Sequence, residues 1–269
     1  MTWRVLVTPP SSGAWNMAVD EAVLLAAAAR EAPRTLRLYT WSPSCTSIGR
    51  FQRAADLTEE ARAEPGVSWV RRPTGGRALH HGPELTYSVV APLDDELVSG
   101  TVLQSYSKIA RSLLAALAAL GVSADLAGCG DVGRIRSNPS CFDNASANEI
   151  LHRGRKLIGS AQLRHGNVLL QHGSILIESP ARAFFKAVQF DTEEERVRAQ
   201  EYGEARLTTL SEALGRMVGL EEVRRAMVDG FEKCWGVELI PDELSKVEFR
   251  RAQELEALKY RGVEWSYRK

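Results

Sequence analysis

Cys141 stands in the polar stretch Asn138-Pro139-Ser140-Cys141-Phe142-Asp143-Asn144-Ala145-Ser146-Ala147-Asn148-Glu149, with Arg134 and Arg136 before it and Arg153, Arg155 and Lys156 after it. A thiol kept only for packing is not expected in such a setting. A thiolate near cations has a depressed pKa and is a competent nucleophile at neutral pH. Lys156 is the second candidate. The chain has seven lysines against twenty-seven arginines, and only Lys108, Lys156 and Lys186 precede residue 200. A lysine kept between Gly154 and Gly159, beside Arg155, suggests a compact ammonium directed into a site rather than a planar fork. The alternative is a turn lysine in solvent.

The third candidate is Arg71-Arg72-Pro73-Thr74-Gly75-Gly76-Arg77. Paired glycines after a strand permit positive φ and a close approach to a ligand. The flanking guanidiniums suit a phosphate, a carboxylate or an acidic partner surface, the alternative being a turn with solvated arginines. The stretch lacks the Gly-x-x-x-x-Gly-Lys-Ser/Thr layout of a P-loop. His81, just beyond this loop, and His172, at an expected strand turn, are placed to line a cleft or to serve as structural histidines. Neither belongs to a metal-ligand spacing, and no metal is expected. Cys45 and Cys234 sit in periodic apolar patterns and read as structural, while Cys129 is assigned neither role.

The elements that must position these groups are ordinary for a globular chain. Of 269 residues, 44% are hydrophobic and 25% charged, so a substantial core can form. Basic and acidic residues balance at 34 each, leaving no global positive field for a nucleic-acid backbone. No apolar run approaches the roughly 20 residues of a membrane span. The start has no signal-peptide layout, and a cytoplasmic protein is expected. Wide cysteine spacing, with no Cys-x-x-Cys pair, argues against a disulfide frame or zinc site.

Strands are predicted over residues 3–8, 35–40, 46–49 and 67–71, with a helix capped by Asn16 and ending before Pro33. Residues 84–91 alternate, with Leu85, Tyr87, Val89 and Ala91 on one face, and read as a half-buried strand. Leu103, Tyr106, Ala110, Leu113, Leu117 and Leu120 mark an amphipathic helix. Residues 129–148 read as irregular. Three short strands follow at 156–161, 167–171 and 174–178, with turns at 164–166 and at His172-Gly173. Beyond Pro180 helical patterns dominate. The fold class is α/β (α+β), with a mixed, largely antiparallel sheet flanked by helices. Residues 1–180 are expected to form the core, with 181–269 a helical C-terminal extension packed on the same domain.

Taken in order, these residues resemble the biotin/lipoate A/B protein ligase family. The resemblance rests on Asn16-Met17-Ala18-x-Asp20-Glu21, Arg37-Leu38-Tyr39, Ser47-Ile48-Gly49-x-Phe51-Gln52, the Arg71–Arg77 stretch, Glu84-Leu85-Thr86-Tyr87-Ser88, Gly154-Arg155-Lys156-Leu157-Ile158-Gly159-Ser160-Ala161-Gln162, Gln171-His172-Gly173-Ser174-Ile175-Leu176 and the ending Glu264-Trp265-Ser266-Tyr267-Arg268-Lys269. The block Cys141-Phe142-x-x-x-Ser146-x-x-Glu149-Ile150 looks like the octanoyltransferase branch. One departure is Gly82, where the family usually carries an acidic residue after the histidine matching His81.

The resemblance implies a lipoate/biotin protein ligase-like catalytic domain that moves octanoyl from octanoyl-acyl carrier protein to a lysine of the glycine cleavage system H protein or another lipoyl domain. Cys141 would carry the acyl group as a thioester, and Lys156 would favour the thiolate and steady the oxyanion. The implied substrate-binding residues are Arg71, Arg72, Thr74, Gly75, Gly76, Arg77, Tyr87, Gly159, Ser160, Ala161, His172 and Gly173. Tyr87 and Val89 are expected to line an apolar slot, with the Gly75-Gly76 loop as its lid or wall. Burying some seven methylene or methyl groups there contributes roughly 5–6 kcal/mol. Between Arg30 and His80 stand nine basic and five acidic residues, so Arg71, Arg72 and Arg77 are expected to steer acidic carrier proteins. No cofactor is implied unless the chain is instead an ATP-dependent lipoate ligase. A cysteine-dependent lipoyl-domain amidotransferase is also compatible with these residues, whereas Cys141 and Lys156 together argue against a non-catalytic acyl- or lipoyl-domain-binding module.

Overall fold

A computed structural model of the chain describes residues 2–127 and 149–268; Cys129, Cys141 and the rest of the segment expected to be irregular lie outside them. The strands in chain order are β1 (Thr2–Val7), β2 (Thr35–Tyr39), β3 (Cys45–Ile48), β4 (Trp69–Arg71), β5 (Leu79–His81), β6 (Glu84–Pro92), β7 (Asp125–Leu126), β8 (Ile150–His152), β9 (Arg155–His165), β10 (Val168–Leu176) and β11 (Glu238–Asp242). The helices are α1 (Gly13–Ala28), α2 (Val102–Ala119), α3 (Ala181–Ala187), α4 (Glu193–Arg206), α5 (Leu210–Leu214), α6 (Leu220–Trp235), α7 (Lys246–Leu255) and α8 (Val263–Ser266).

The larger sheet runs β11-β1-β2-β6-β10-β9-β8-β7, with β1 parallel to both its neighbours and the remaining pairs antiparallel. The smaller sheet is β4-β3-β5. The mixed, mostly antiparallel sheet flanked by helices is the architecture expected.

Helices cover both faces at the centre, so β6 is buried on both sides rather than half-buried. Leu85, Tyr87, Val89 and Ala91 share one core with Ile109, Leu113 and Leu117 of α2 and Met227 and Phe231 of α6. Val90 faces a second core with Met17, Val19 and Val23 of α1. The α2–α6 crossing is tight: a Cβ on Gly230 would lie 2.5 Å from the Ala116 backbone nitrogen. Leu103, expected on the apolar stripe of α2, is instead exposed in its first turn, where Thr101 and Gln104 form a capping box.

Further expectations are corrected. Ser12, not Asn16, caps α1, its hydroxyl accepting from Trp15 N–H at 3.2 Å. Asn16 lies inside the helix with a buried side chain that donates to the Ser11 and Thr40 carbonyls. The three short strands are two long ones: His172 and Gly173 sit mid-strand in β10, paired with Ser88 and Tyr87 on one side and Ala161 and Ser160 on the other. The C-terminal segment is mostly helical but also contributes β11, which pairs with β1 at the sheet edge. Cys45 is buried in β3, where burial pushes its thiol pKa up, whereas Cys234 is exposed on α6 and has no packing role.

Candidate active site

The centre of the molecule holds an acid that an apolar helix would not normally tolerate. Asp20 is fully buried on α1. Its Oδ1 accepts from Arg37 Nη1 at 2.8 Å and Ser88 Oγ at 2.9 Å, and its Oδ2 from Tyr39 OH at 2.9 Å and His172 Nδ1 at 3.1 Å. Burial pushes the carboxyl pKa up, but Arg37 and His172 outweigh it and the pKa is lowered. The carboxylate only accepts, so His172 carries its proton on Nδ1 and its Nε2 takes the Thr74 hydroxyl at 2.7 Å. Burial lowers the His172 pKa despite Asp20, which keeps the ring neutral at pH 7. The relay thus ties α1, β10 and the Arg71–Arg77 stretch together.

That stretch is held by its own arginines. Arg71 has no exposed surface, and its guanidinium donates to the carbonyls of Gly49, Arg50, Gln52 and Ser266, joining β4 to α8. Arg72 Nη2 closes the turn by donating to the Gly75 and Arg77 carbonyls at 2.8 and 2.7 Å, and its Nη1 reaches Ser47 Oγ at 3.2 Å. Gly76 has φ +90°, and a Cβ on Gly49 would fall 1.9 Å from the Gly76 carbonyl oxygen, so the turn packs directly on β3.

Below the turn lies a cavity of about 240 Å³. Its apolar wall includes Met17, Trp41, Leu79, Leu157, Leu176 and Leu207. Its polar groups include Ser47, Arg72, His81, Glu149, Lys156 and His172. Such an apolar space with a few convergent polar groups suits a small, mostly aliphatic ligand with one reactive end.

Lys156 enters the cavity from β9. Arg153 and Gly154 both have positive φ and make the tight β8–β9 hairpin, leaving Lys156 two residues into the strand. Its carbonyl accepts from Thr208 N–H, and its ammonium pairs with Glu149 Oε1 at 2.5 Å. Gly159 clears the way, since a Cβ there would stand 2.7 Å from Lys156 Cε.

A second network faces the same space. His81 Nε2 lies 2.7 Å from Ser47 Oγ and its Nδ1 2.7 Å from Glu84 Oε1. Thr86 donates to the same carboxylate oxygen and accepts from Trp41 Nε1, and the Trp41 ring stacks on His81 at 3.8 Å. Glu84 therefore supplies the carboxylate at the corner where Gly82 departs from the expected pattern.

Of the residues expected to bind substrate, Arg72, Gly76, Arg77, Gly159, Ser160, Ala161, His172 and Gly173 line the cavity together with Lys156. Thr74 and Gly75 sit behind it as partners of His172 and Arg72. Arg71 does not reach it and, being buried, is not a steering residue. Arg72 and Arg37, also counted in the basic face, are buried too, which leaves that face weaker than the sequence suggests. Tyr87 and Val89 belong to the core under the sheet, because the cavity faces the other side of β6, where Thr86 lies. Tyr87 still supports the wall: its hydroxyl bonds Ser160 and Gln171, and burial with those bonds leaves its pKa at about 12. Cys141 lies outside the described residues. Sequence reasoning missed the Asp20–Arg37 pair, Trp41, Ser47 and Glu149; a single acid inside the apolar run Met17-Ala18-Val19-Asp20 was the available signal for the first.

Among the described residues, no group of three or more His, Cys, Asp or Glu side chains is placed to hold a metal ion.

Residues 12–232 match the lipoyl protein ligase A/B catalytic domain. A protein named octanoyltransferase LipM from Kyrpidia tusciae is 43% identical over 273 residues, covering 100% of this chain and 99% of its own. A protein of the same name from Bacillus subtilis is 35% identical over 278 residues, covering 100% of this chain and 99% of its own. The solved bipartite lipoate protein ligase of Thermoplasma acidophilum superposes with a TM-score of 0.81 at 22% identity, over 99% of this chain and 96% of that one, a likeness of fold.

Proposed function

The chain belongs to the lipoyl protein ligase A/B catalytic-domain family, and from that premise we propose how it acts. It is an octanoyltransferase of lipoate biosynthesis, as its whole-length relatives are. The donor in this reading is octanoyl-acyl carrier protein, and the acceptor is a lysine of the glycine cleavage H protein or another lipoyl domain. The observation that carries it is the apolar cavity with the Lys156 ammonium in its wall.

The Cys141 thiolate attacks the donor's thioester carbonyl, and the C–S bond to the pantetheine thiol breaks, leaving octanoyl on Cys141. The acceptor's amine then attacks this second thioester, loses a proton and forms an amide as the Cys141 thiol departs. The donor is already activated, so neither step consumes a nucleotide. Lys156, held by Glu149, favours the thiolate and stabilises the oxyanion, a contribution of about 3–4 kcal/mol for one such donor. The aliphatic chain occupies the slot between Met17, Leu79, Leu157 and Leu176. Residues 1–180 act as the acyltransferase core, with 181–269 as an extension on the same unit. We place the reaction in the cytoplasm with its carrier proteins; no helix among the described residues is long and apolar enough to cross a membrane.

The test is transfer to apo H protein from octanoyl-acyl carrier protein without ATP, followed by acceptor mass. Nucleotide-free transfer that vanishes in Cys141→Ala supports this reading. Transfer that requires ATP and free acid, and is indifferent to Cys141→Ala, replaces it with the ligase.

A further inference from the structure

Ser47, His81 and Glu84 come from three different strands and meet in a line at the cavity wall. His81 Nδ1 is 2.7 Å from Glu84 Oε1 and its Nε2 is 2.7 Å from Ser47 Oγ. This is the order nucleophile, base and orienting carboxylate, which is recognised by geometry rather than by sequence position. We propose that Ser47 is a second acyl-accepting nucleophile, served by His81 and Glu84, and that through it this chain hydrolyses activated medium-chain acyl esters and thioesters without Cys141.

The hydrogen-bond partners settle the direction of each proton. Glu84 Oε1 also accepts the Thr86 hydroxyl at 2.8 Å, so the carboxylate acts as an acceptor and Nδ1–H of His81 donates to it. Arg72 Nη1 donates to Ser47 Oγ at 3.2 Å, which occupies a lone pair of the hydroxyl. The Ser47 proton is then directed to Nε2, the one ring nitrogen left to accept it. Ring orientation is fixed from above by Trp41, stacked within 10° of parallel, whose Nε1–H binds Thr86 in turn. Glu84 Oε2 is buried with no hydrogen-bond partner among the described residues. Ser47 and His81 both border the cavity that would hold the acyl chain.

The chemistry balances with water as the only co-reactant. Ser47 Oγ bonds to the acyl carbon as its proton passes to His81 Nε2. The bond from that carbon to the leaving alkoxide or thiolate breaks, and the leaving group takes the proton. Water then adds to the acyl-serine ester, giving a proton to Nε2. The ester C–O bond breaks, Ser47 recovers its proton, and the fatty acid leaves.

The proposal shares the acyl cavity with the transferase reading but not its nucleophile, so the two can fail separately. The full chain carrying Cys141→Ala is given p-nitrophenyl octanoate with no protein acceptor. Hydrolysis above the buffer rate is expected, falling at least about 100-fold when Ser47→Ala or His81→Gln is added. An alkyl fluorophosphonate should add its mass to the Ser47 peptide of Cys141→Ala, a readout that stands even where a Ser47 variant fails to fold. An inert Cys141→Ala protein, hydrolysis indifferent to Ser47→Ala in a folded variant, or label on another residue alone overturns the proposal. Normal octanoyl transfer by the unmodified chain beside such a result would leave the transferase reading standing. Ester hydrolysis by Cys141→Ala beside failed octanoyl transfer by the unmodified chain would count against the transferase reading and keep Ser47.

Discussion

Lys156 lies across Gly159: a Cβ at residue 159 would stand 2.7 Å from Lys156 Cε and 2.9 Å from Nζ. The bare glycine therefore sets where the ammonium points. Gly159→Ala is expected to displace the flexible end of Lys156 rather than the backbone. Turnover should fall about tenfold, short of the roughly 10²–10³-fold expected for losing an oxyanion donor in Lys156→Ala. Single-turnover transfer beside thermal unfolding checks this; an unchanged rate would mean that the ammonium does not act on the reacting carbonyl.

Glu149 fixes the other end of that ammonium at 2.5 Å, with both groups buried. Removing one charge of a buried pair strands the other, so Glu149→Gln is expected to cost about 3 kcal/mol in urea unfolding. A loss below about 0.5 kcal/mol would show that the pair behaves like a solvated surface bridge.

Arg71 is an internal brace rather than a docking group. Arg71→Ala leaves several carbonyls of two segments without their donor and is expected to destabilise the fold by about 3 kcal/mol. The salt dependence of carrier-protein binding should stay that of the unmodified chain. A marked loss of that salt dependence with unchanged melting would restore the steering role.

Stability should fall on acidification from neutrality. Burial lowers the His80 pKa to about 4 and also lowers that of His172 from the usual 6.5. Both rings are neutral in the folded chain, while the unfolded chain binds their protons below about pH 6.5. Stability is therefore full above that pH and declines as pH falls toward the folded values. Asp20, lowered below its ordinary 3.8, contributes stability that is lost only at still lower pH. Equilibrium unfolding from pH 7.5 to 4 checks the sign, and His80→Gln should flatten the slope. A stability that rises on acidification across that window would contradict the neutral rings.

Local chemistry determined a great deal in advance. The strand alternation, the glycine pair and the lysine retained among arginines depend on period, φ and side-chain type, all of which are written along the chain. On that basis the sheet class, the Gly76 turn and the cavity position of Lys156 were legible. Tertiary structure decided what depends on which surfaces meet. Whether Arg71 and Arg72 reach solvent is set by β3 and α8 folding over them, not by their neighbours in sequence. Which face of β6 borders the cavity is set by α1 lying on one side and α2 with α6 on the other, and a shift of one residue exchanges Tyr87 for Thr86. The mid-strand place of His172 and Gly173 follows from pairing with β6 and β9, which overrides a local turn signal. Asp20 with Arg37, and Ser47 with His81 and Glu84, are separated along the chain and joined only in space, because a buried charge must find its partner wherever the fold brings one.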